Sequence, residues 1–131
     1  MNATKTKAEA KKAKEIEADL PHFYGSQTFT RWSSITKSVL SEGALYLAEK
    51  AQAFWLFDYI DSNTIGLNEG AVQTVVTVDK NHTAKIVLDD MNGHVLVSER
   101  IPSTSFPLDT ITIWSMRNEH NALTHMLPSE Y

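Results

Sequence analysis

The apolar positions along the chain change their period once. Ala44, Leu47, Ala48 and Ala51 recur at i, i+3, i+4 and i+7, one face of a helix. Ala53, Leu56, Phe57 and Ile60 repeat that spacing, but out of phase with the first stripe. The slip after Ala51 predicts two consecutive helices with a break near Gln52. Ser41 is placed to cap the first, with Glu42 in its first turn. The second, Phe54–Ile60, is apolar nearly all round and reads as buried on more than one side. It should end by Ser62-Asn63.

From Ala71 the period becomes 2. Ala71–Asp79 is rich in Val and Thr, Asp79–His82 is a turn, and Ala84, Ile86 and Leu88 alternate with Lys85, Val87 and Asp89. Asn92-Gly93 is the strongest hairpin signal and predicts a type I′ turn returning into His94–Ile101. Pro102 and Pro107 bound a loop. Thr110–Met116 alternates again, Asn118–Asn121 turns, and Ala122–Leu127 pairs back. Thr28–Trp32 has the composition of one further strand. The expected fold is α+β: two consecutive helices on one face of an antiparallel meander of about five strands.

Residues 1–19 differ in kind. They hold five lysines and four acids among alanines, and their Lys5–Glu9 and Lys11–Glu15 pairs run in the weaker Lys-before-Glu order. A loosely attached helix is expected, docked by Ile16 and Leu20 and stopped before Pro21. The division is therefore 1–19, a charged helical arm, and 20–131, a single α+β domain. Of the 131 residues 42% are hydrophobic, enough for a folded core, and there is no cysteine for a disulfide, a zinc–thiolate site or a thiol nucleophile. The body after residue 19 has 7 basic and 12 acidic residues, which argues against a nucleic-acid groove there and leaves only the Lys-rich arm for phosphate. No apolar stretch approaches the ~20 residues of a membrane span, so a cytoplasmic protein is expected.

Catalytic motifs are absent. The glycines form no phosphate loop, dinucleotide fingerprint or nucleophile elbow, and the five histidines fall in no metal-ligand spacing. No catalytic residue, metal or cofactor is predicted. Asp58 stands out because it interrupts Phe54–Ile60. A carboxylate there is either held by backbone N–H groups or by Arg31 or Lys50, or it anchors a ligand. Trp55 and Trp114 are read as core or, alternatively, as walls of a pocket beside Asp58. Glu130 and Tyr131 close the chain in a tail that either docks on the body or is itself recognised.

Four segments together carry a resemblance. They are Leu20-x-x-Phe23-x-Gly25-Ser26; Ser41-Glu42-Gly43-x-x-Tyr46-Leu47-Ala48-Glu49-x-Ala51-x-Ala53-x-Trp55-Leu56-x-Asp58; Ile101-Pro102-x-Thr104-x-Phe106-Pro107-Leu108; and Leu127-Pro128-Ser129-Glu130-Tyr131. In this order, over about 20–131, they resemble an uncharacterised family of small bacterial proteins carried on plasmids and phages. Where such relatives often have Thr-Asp-Gly this chain has Ser41-Glu42-Gly43, and where they often have Thr-Asp-Phe-Pro it has Thr104-Ser105-Phe106-Pro107. The resemblance implies an accessory protein of a mobile element and no reaction. The expectation is a non-enzymatic protein that binds another protein or a second copy of itself, modulating or inhibiting a host or defence complex. The alternative is a small ligand-binding domain or enzyme with a pocket around Asp58, Trp55 and Trp114.

Overall fold

A computed structural model describes residues 7–25, 28–33 and 35–131. Ser26 and Lys5, named above, lie outside them. The elements are α1 (Lys7–Asp19), a 3-10 turn (Leu20–His22), β1 (Thr30–Arg31), β2 (Val39–Leu40), α2 (Glu42–Lys50), α3 (Phe54–Thr64), β3 (Ala71–Val78), β4 (Ala84–Asp89), β5 (Val95–Ile101), β6 (Thr110–Arg117), β7 (Leu123–Met126) and a closing 3-10 turn (Pro128–Glu130).

The two helices start, break and bury as their stripes require. The Ser41 hydroxyl accepts from the Ala44 N–H at 3.1 Å, capping α2. Gln52 takes a left-handed φ of 52°, which ends α2 and redirects the chain into α3. Ala44, Leu47, Ala48, Ala53, Leu56, Phe57 and Ile60 are all fully buried. Two expectations for α3 need correction. It runs on to Thr64, and Phe54 and Asp58 are exposed, so it is amphipathic rather than buried all round.

The sheet is larger than five strands and is mixed. Its order is β1-β2-β7-β6-β3-β4-β5. β3, β4 and β5 form the expected meander, but β6 returns past two strands to pair with β3, placing Ile113 opposite Thr74 and Ser115 opposite Val72. The segment between Pro102 and Pro107 makes that crossing. It is pinned where Thr104 donates to the His82 carbonyl at 2.8 Å, and Val78 donates to the Asp109 carbonyl at 2.8 Å as β6 begins. β2 then adds to β7 in parallel, with Leu40 opposite His125. That parallel pair requires α2, α3 and four strands between its partners, beyond the reach of local pattern.

Tight turns share one chemistry. At Asp79, Asp90 and Asn118 a side-chain oxygen accepts the backbone N–H groups two and four residues on, at 2.8–3.1 Å. The residue three positions on is left-handed each time: His82, Gly93 and Asn121, with φ 60°, 93° and 60°. Such three-residue loops close with an αL residue. The Asn92-Gly93 connection is therefore not a two-residue type I′ turn. Asp90 organises it, Met91 is left-handed as well (φ 66°), and the register shifts between Leu88 and Asp89.

All three helices contribute to one core over one sheet face, where Val72, Val76, Ile86, Leu88 and Ile113 are buried. α1 is held more firmly than its charges suggested: Ala13 and Ile16 belong to this core, and the Tyr46 hydroxyl donates to the Asp19 carboxylate. The opposite face, with Gln73, Val75, Val87, Trp114 and Met126, is half-buried.

Candidate functional site

The residues singled out from the sequence do not converge. Asp58 is exposed on the outer face of α3 and has no hydrogen-bonding or ionic partner among the described residues; neither Arg31 nor Lys50 pairs with it. Arg31 is exposed in the edge strand β1. Trp55 meets Phe106 edge-on, with ring centroids 6.2 Å apart, on the helix side of the sheet. Trp114 points to the other side, because its neighbours Ile113 and Ser115 face the core, and there it donates to Gln73 and meets the Tyr131 ring at 5.5 Å. A pocket formed by Asp58, Trp55 and Trp114 is therefore excluded by the alternation of β6.

The tail is a structural clamp. Glu130 is buried, and its carboxylate accepts from the Ser41 hydroxyl (2.6 Å), the Gly43 N–H (2.9 Å) and the Leu127 N–H (2.9 Å). It places a negative charge on the first turn of α2, where free N–H groups and the helix dipole favour one. A Cβ on Gly43 would lie 2.6 Å from the Glu130 Oε1 and 2.6 Å from the Leu127 Cδ1, so this contact needs glycine. Two of the resembling segments, Ser41-Glu42-Gly43 and Leu127–Tyr131, thus form one joint. Tyr131 itself remains exposed.

A polar chain that sequence reading missed runs through the core. The Ser38 hydroxyl donates to Asp61 Oδ2 at 2.8 Å, Asp61 Oδ1 meets His125 Nε2 at 2.8 Å, and His125 Nδ1 meets the Ser115 hydroxyl at 2.7 Å. Strand register brings three of the four together. His125 on β7 lies opposite Ser115 on β6 and Leu40 on β2, and Ser38 is two residues before Leu40. α3 supplies Asp61, and Phe57 one turn earlier packs its ring 5.5 Å from the imidazole. All four are nearly or fully buried: Ser38 1%, Asp61 6%, Ser115 0% and His125 0% exposed. The signal was available, since Asp61 lies four residues after Phe57 and beside Ile60 on the apolar stripe of α3, whereas Asp58 lies beyond the edge of that stripe.

Serine, histidine and aspartate in contact invite comparison with a hydrolytic triad, but the geometry differs. In a triad the serine sits on Nε2 and the aspartate on Nδ1. Here the ring is turned the other way, and Ser115 has no exposed surface from which to attack a substrate. The chain is a buried frame that ties β2, α3, β7 and β6 together. Its Ser38–Asp61 end forms the floor of a surface cleft of about 330 Å³ between residues 35–38, the end of α3 and the β6–β7 turn. Ile35, Ile65, Leu67, Asn68 and Arg117 are among its walls. Among the described residues no group of three or more His, Cys, Asp or Glu could hold a metal ion, and no helix is long and apolar enough to cross a membrane.

Fold and site together define an α+β domain: a helical layer on one face of a mixed seven-stranded sheet, joined by a buried Ser–Asp–His–Ser chain. The chain belongs to a family of unknown function (DUF6876), whose model matches residues 14–131. The match begins inside α1, so it includes Ile16. A protein of unknown function from Enterococcus faecalis, solved as a crystal structure, shares the fold with a TM-score of 0.53 at 20% identity, covering 79% of this chain and 98% of that one. No curated protein matches the chain.

Proposed function

We propose that this protein acts by binding another protein, as a non-enzymatic accessory factor of a phage or plasmid that modulates or inhibits a host or defence complex. The mobile-element setting is supported by the resemblance of its motifs. The binding mode is supported by the outer face of α3. Phe54, Asp58, Ser62 and Ile65 recur there at spacings of four, four and three, and all are exposed. Trp32 stacks on Phe54 at 5.2 Å, extending the apolar end of the ridge.

The carrying observation is the combination of two exposed apolar ends and, between them, a carboxylate without a partner among the described residues. Phe54 is 38% and Ile65 64% exposed, about 16 Å apart along the helix at ~1.5 Å per residue. Exposed apolar groups with a polar centre mark interaction surfaces. A partner with a basic side chain between two apolar hollows complements them.

Affinity capture from host lysate, with Asp58→Lys and Ile65→Ser beside the wild-type chain, tests the reading. A stoichiometric protein retained by the wild type and lost by both variants is expected. A partner held equally by all three, or none held by any, would refute it.

A further inference from the structure

We propose that the cleft beside Asp61 binds a carboxylate carried on a short aliphatic group. Arg117 decides the sign of the charge. Its Nε donates to the Glu69 carbonyl (2.9 Å), its Nη1 to the Asn121 carbonyl (3.1 Å) and its Nη2 to the Leu67 carbonyl (3.2 Å). A guanidinium has five N–H groups, so two remain. No carboxylate pairs with it among the described residues, and the three carbonyls fix its orientation without neutralising it. A half-buried, preoriented cation of this kind suits a planar two-oxygen anion.

The carboxylate already present does not compete for that role. Asp61 spends one oxygen on Ser38 and the other on His125. A cationic ligand would have to displace those bonds, whereas an anion at Arg117 displaces nothing. The Asn68 carboxamide lines the same cleft and has no partner among the described residues, leaving a second neutral donor. The aliphatic requirement comes from the mouth and walls: Ile35 and Ile65, 85% and 64% exposed, stand with Leu67, Ala122 and Leu123 around the opening. A volume of about 330 Å³ is at the lower end of the ~300–1,000 Å³ range of small-molecule sites, so the ligand is small or is the end of a chain. The cleft shares Ile65 with the α3 ridge, but Asp58 and Phe54 do not line it, so Asp58→Lys separates the two readings.

Titration calorimetry of the full chain tests it, with N-acetyl-leucine and the tripeptide Gly-Gly-Leu as probes, each beside its C-terminal amide. Saturable binding of the acids is expected, with the amides weaker by about tenfold or more. Ile35→Asp and Asn68→Asp, both at exposed positions, should weaken the acids about as much, while Asp58→Lys leaves them unchanged. Tighter binding of the tripeptide than of N-acetyl-leucine would identify a polypeptide end as the source; equal binding would identify a free small acid. No saturable binding of either acid at millimolar concentration, acids and amides alike, or full binding by both cleft variants would each overturn it. A partner held by none of the chains, or equally by wild type and both ridge variants, with carboxylate binding intact, would sink only the ridge.

Discussion

Two aspartates three residues apart on α3 have opposite fates, and helical geometry separates them. Three residues turn a helix by about 300°, so the two aspartates lie only about 60° apart, on either side of the edge of the buried face. Asp58 falls outside that face and is exposed, while Asp61, next to Ile60 and four after Phe57, falls within it. The hydrophobic stripe that correctly placed Leu56, Phe57 and Ile60 already contained this answer. An acid flanked by apolar neighbours in sequence stands out more than an acid on the apolar face, yet only the second is buried. The energetic consequence is specific. Removing one member of a buried hydrogen-bonded pair strands the other, at about 1–3 kcal/mol. Asp61→Ala should cost that much, and Asp58→Ala about 0.5 kcal/mol or less. Urea denaturation of the two variants measures the difference. Equal stabilities would mean that the Ser38–Asp61–His125–Ser115 chain contributes nothing to the fold.

One helix start and three tight turns in this molecule are set by side-chain oxygens. Ser41 starts α2, and Asp79, Asp90 and Asn118 close the tight turns. Cap and turn positions were legible because one residue type makes one local bond. What the turn type would be was less so: Asn92-Gly93 is a strong local signal, and Asp90 overrides it by reaching the Asn92 and His94 N–H groups. Nothing local revealed that Glu130 completes the α2 cap from the other end of the chain. That contact reverses an ordinary expectation at Gly43. Glycine to alanine inside a helix normally gains about 0.5–1 kcal/mol. Here the new Cβ meets Glu130 and Leu127, and overpacking of this kind costs about 1–3 kcal/mol. Gly43→Ala should therefore destabilise, and the penalty should shrink when Glu130→Ala removes the carboxylate in a double-mutant cycle. A stabilising Gly43→Ala in the native background would contradict the clamp.

At the scale of the molecule, what escaped the sequence was long-range pairing. The helices and the β3–β4–β5 meander follow from period and turn chemistry. The return of β6 to β3, and the two-residue strand β2 with its parallel pairing to β7, depend on contacts that no window of sequence contains, whereas β1 falls within the strand expected at Thr28–Trp32. The standing of α1 belongs to the same problem. Its charge pattern suggests an arm, yet Ile16 is buried and Asp19 accepts from Tyr46. Tyr46 reports on that docking. Its hydroxyl is pushed up to about 12, first by burial and then by the hydrogen bond to Asp19 and the charges of Asp19 and Glu15. Tyr59 is also pushed up to about 12, by burial and by Glu99. A raised pKa in the fold means stability that is complete below the unfolded value of 10.0 and lost as pH climbs through about 12. In an absorbance titration of the full chain, two tyrosines should ionise late. Deleting residues 1–19 removes Asp19, Glu15 and part of the cover over Tyr46, so only Tyr59 should remain late. The same deletion removes Ile16 from the core, and loss of a buried isoleucine side chain costs about 2–5 kcal/mol. Both changes together would make α1 an integral part of the domain. An unchanged urea midpoint with both tyrosines still late would make residues 1–19 a detachable arm and restore the boundary at residue 20.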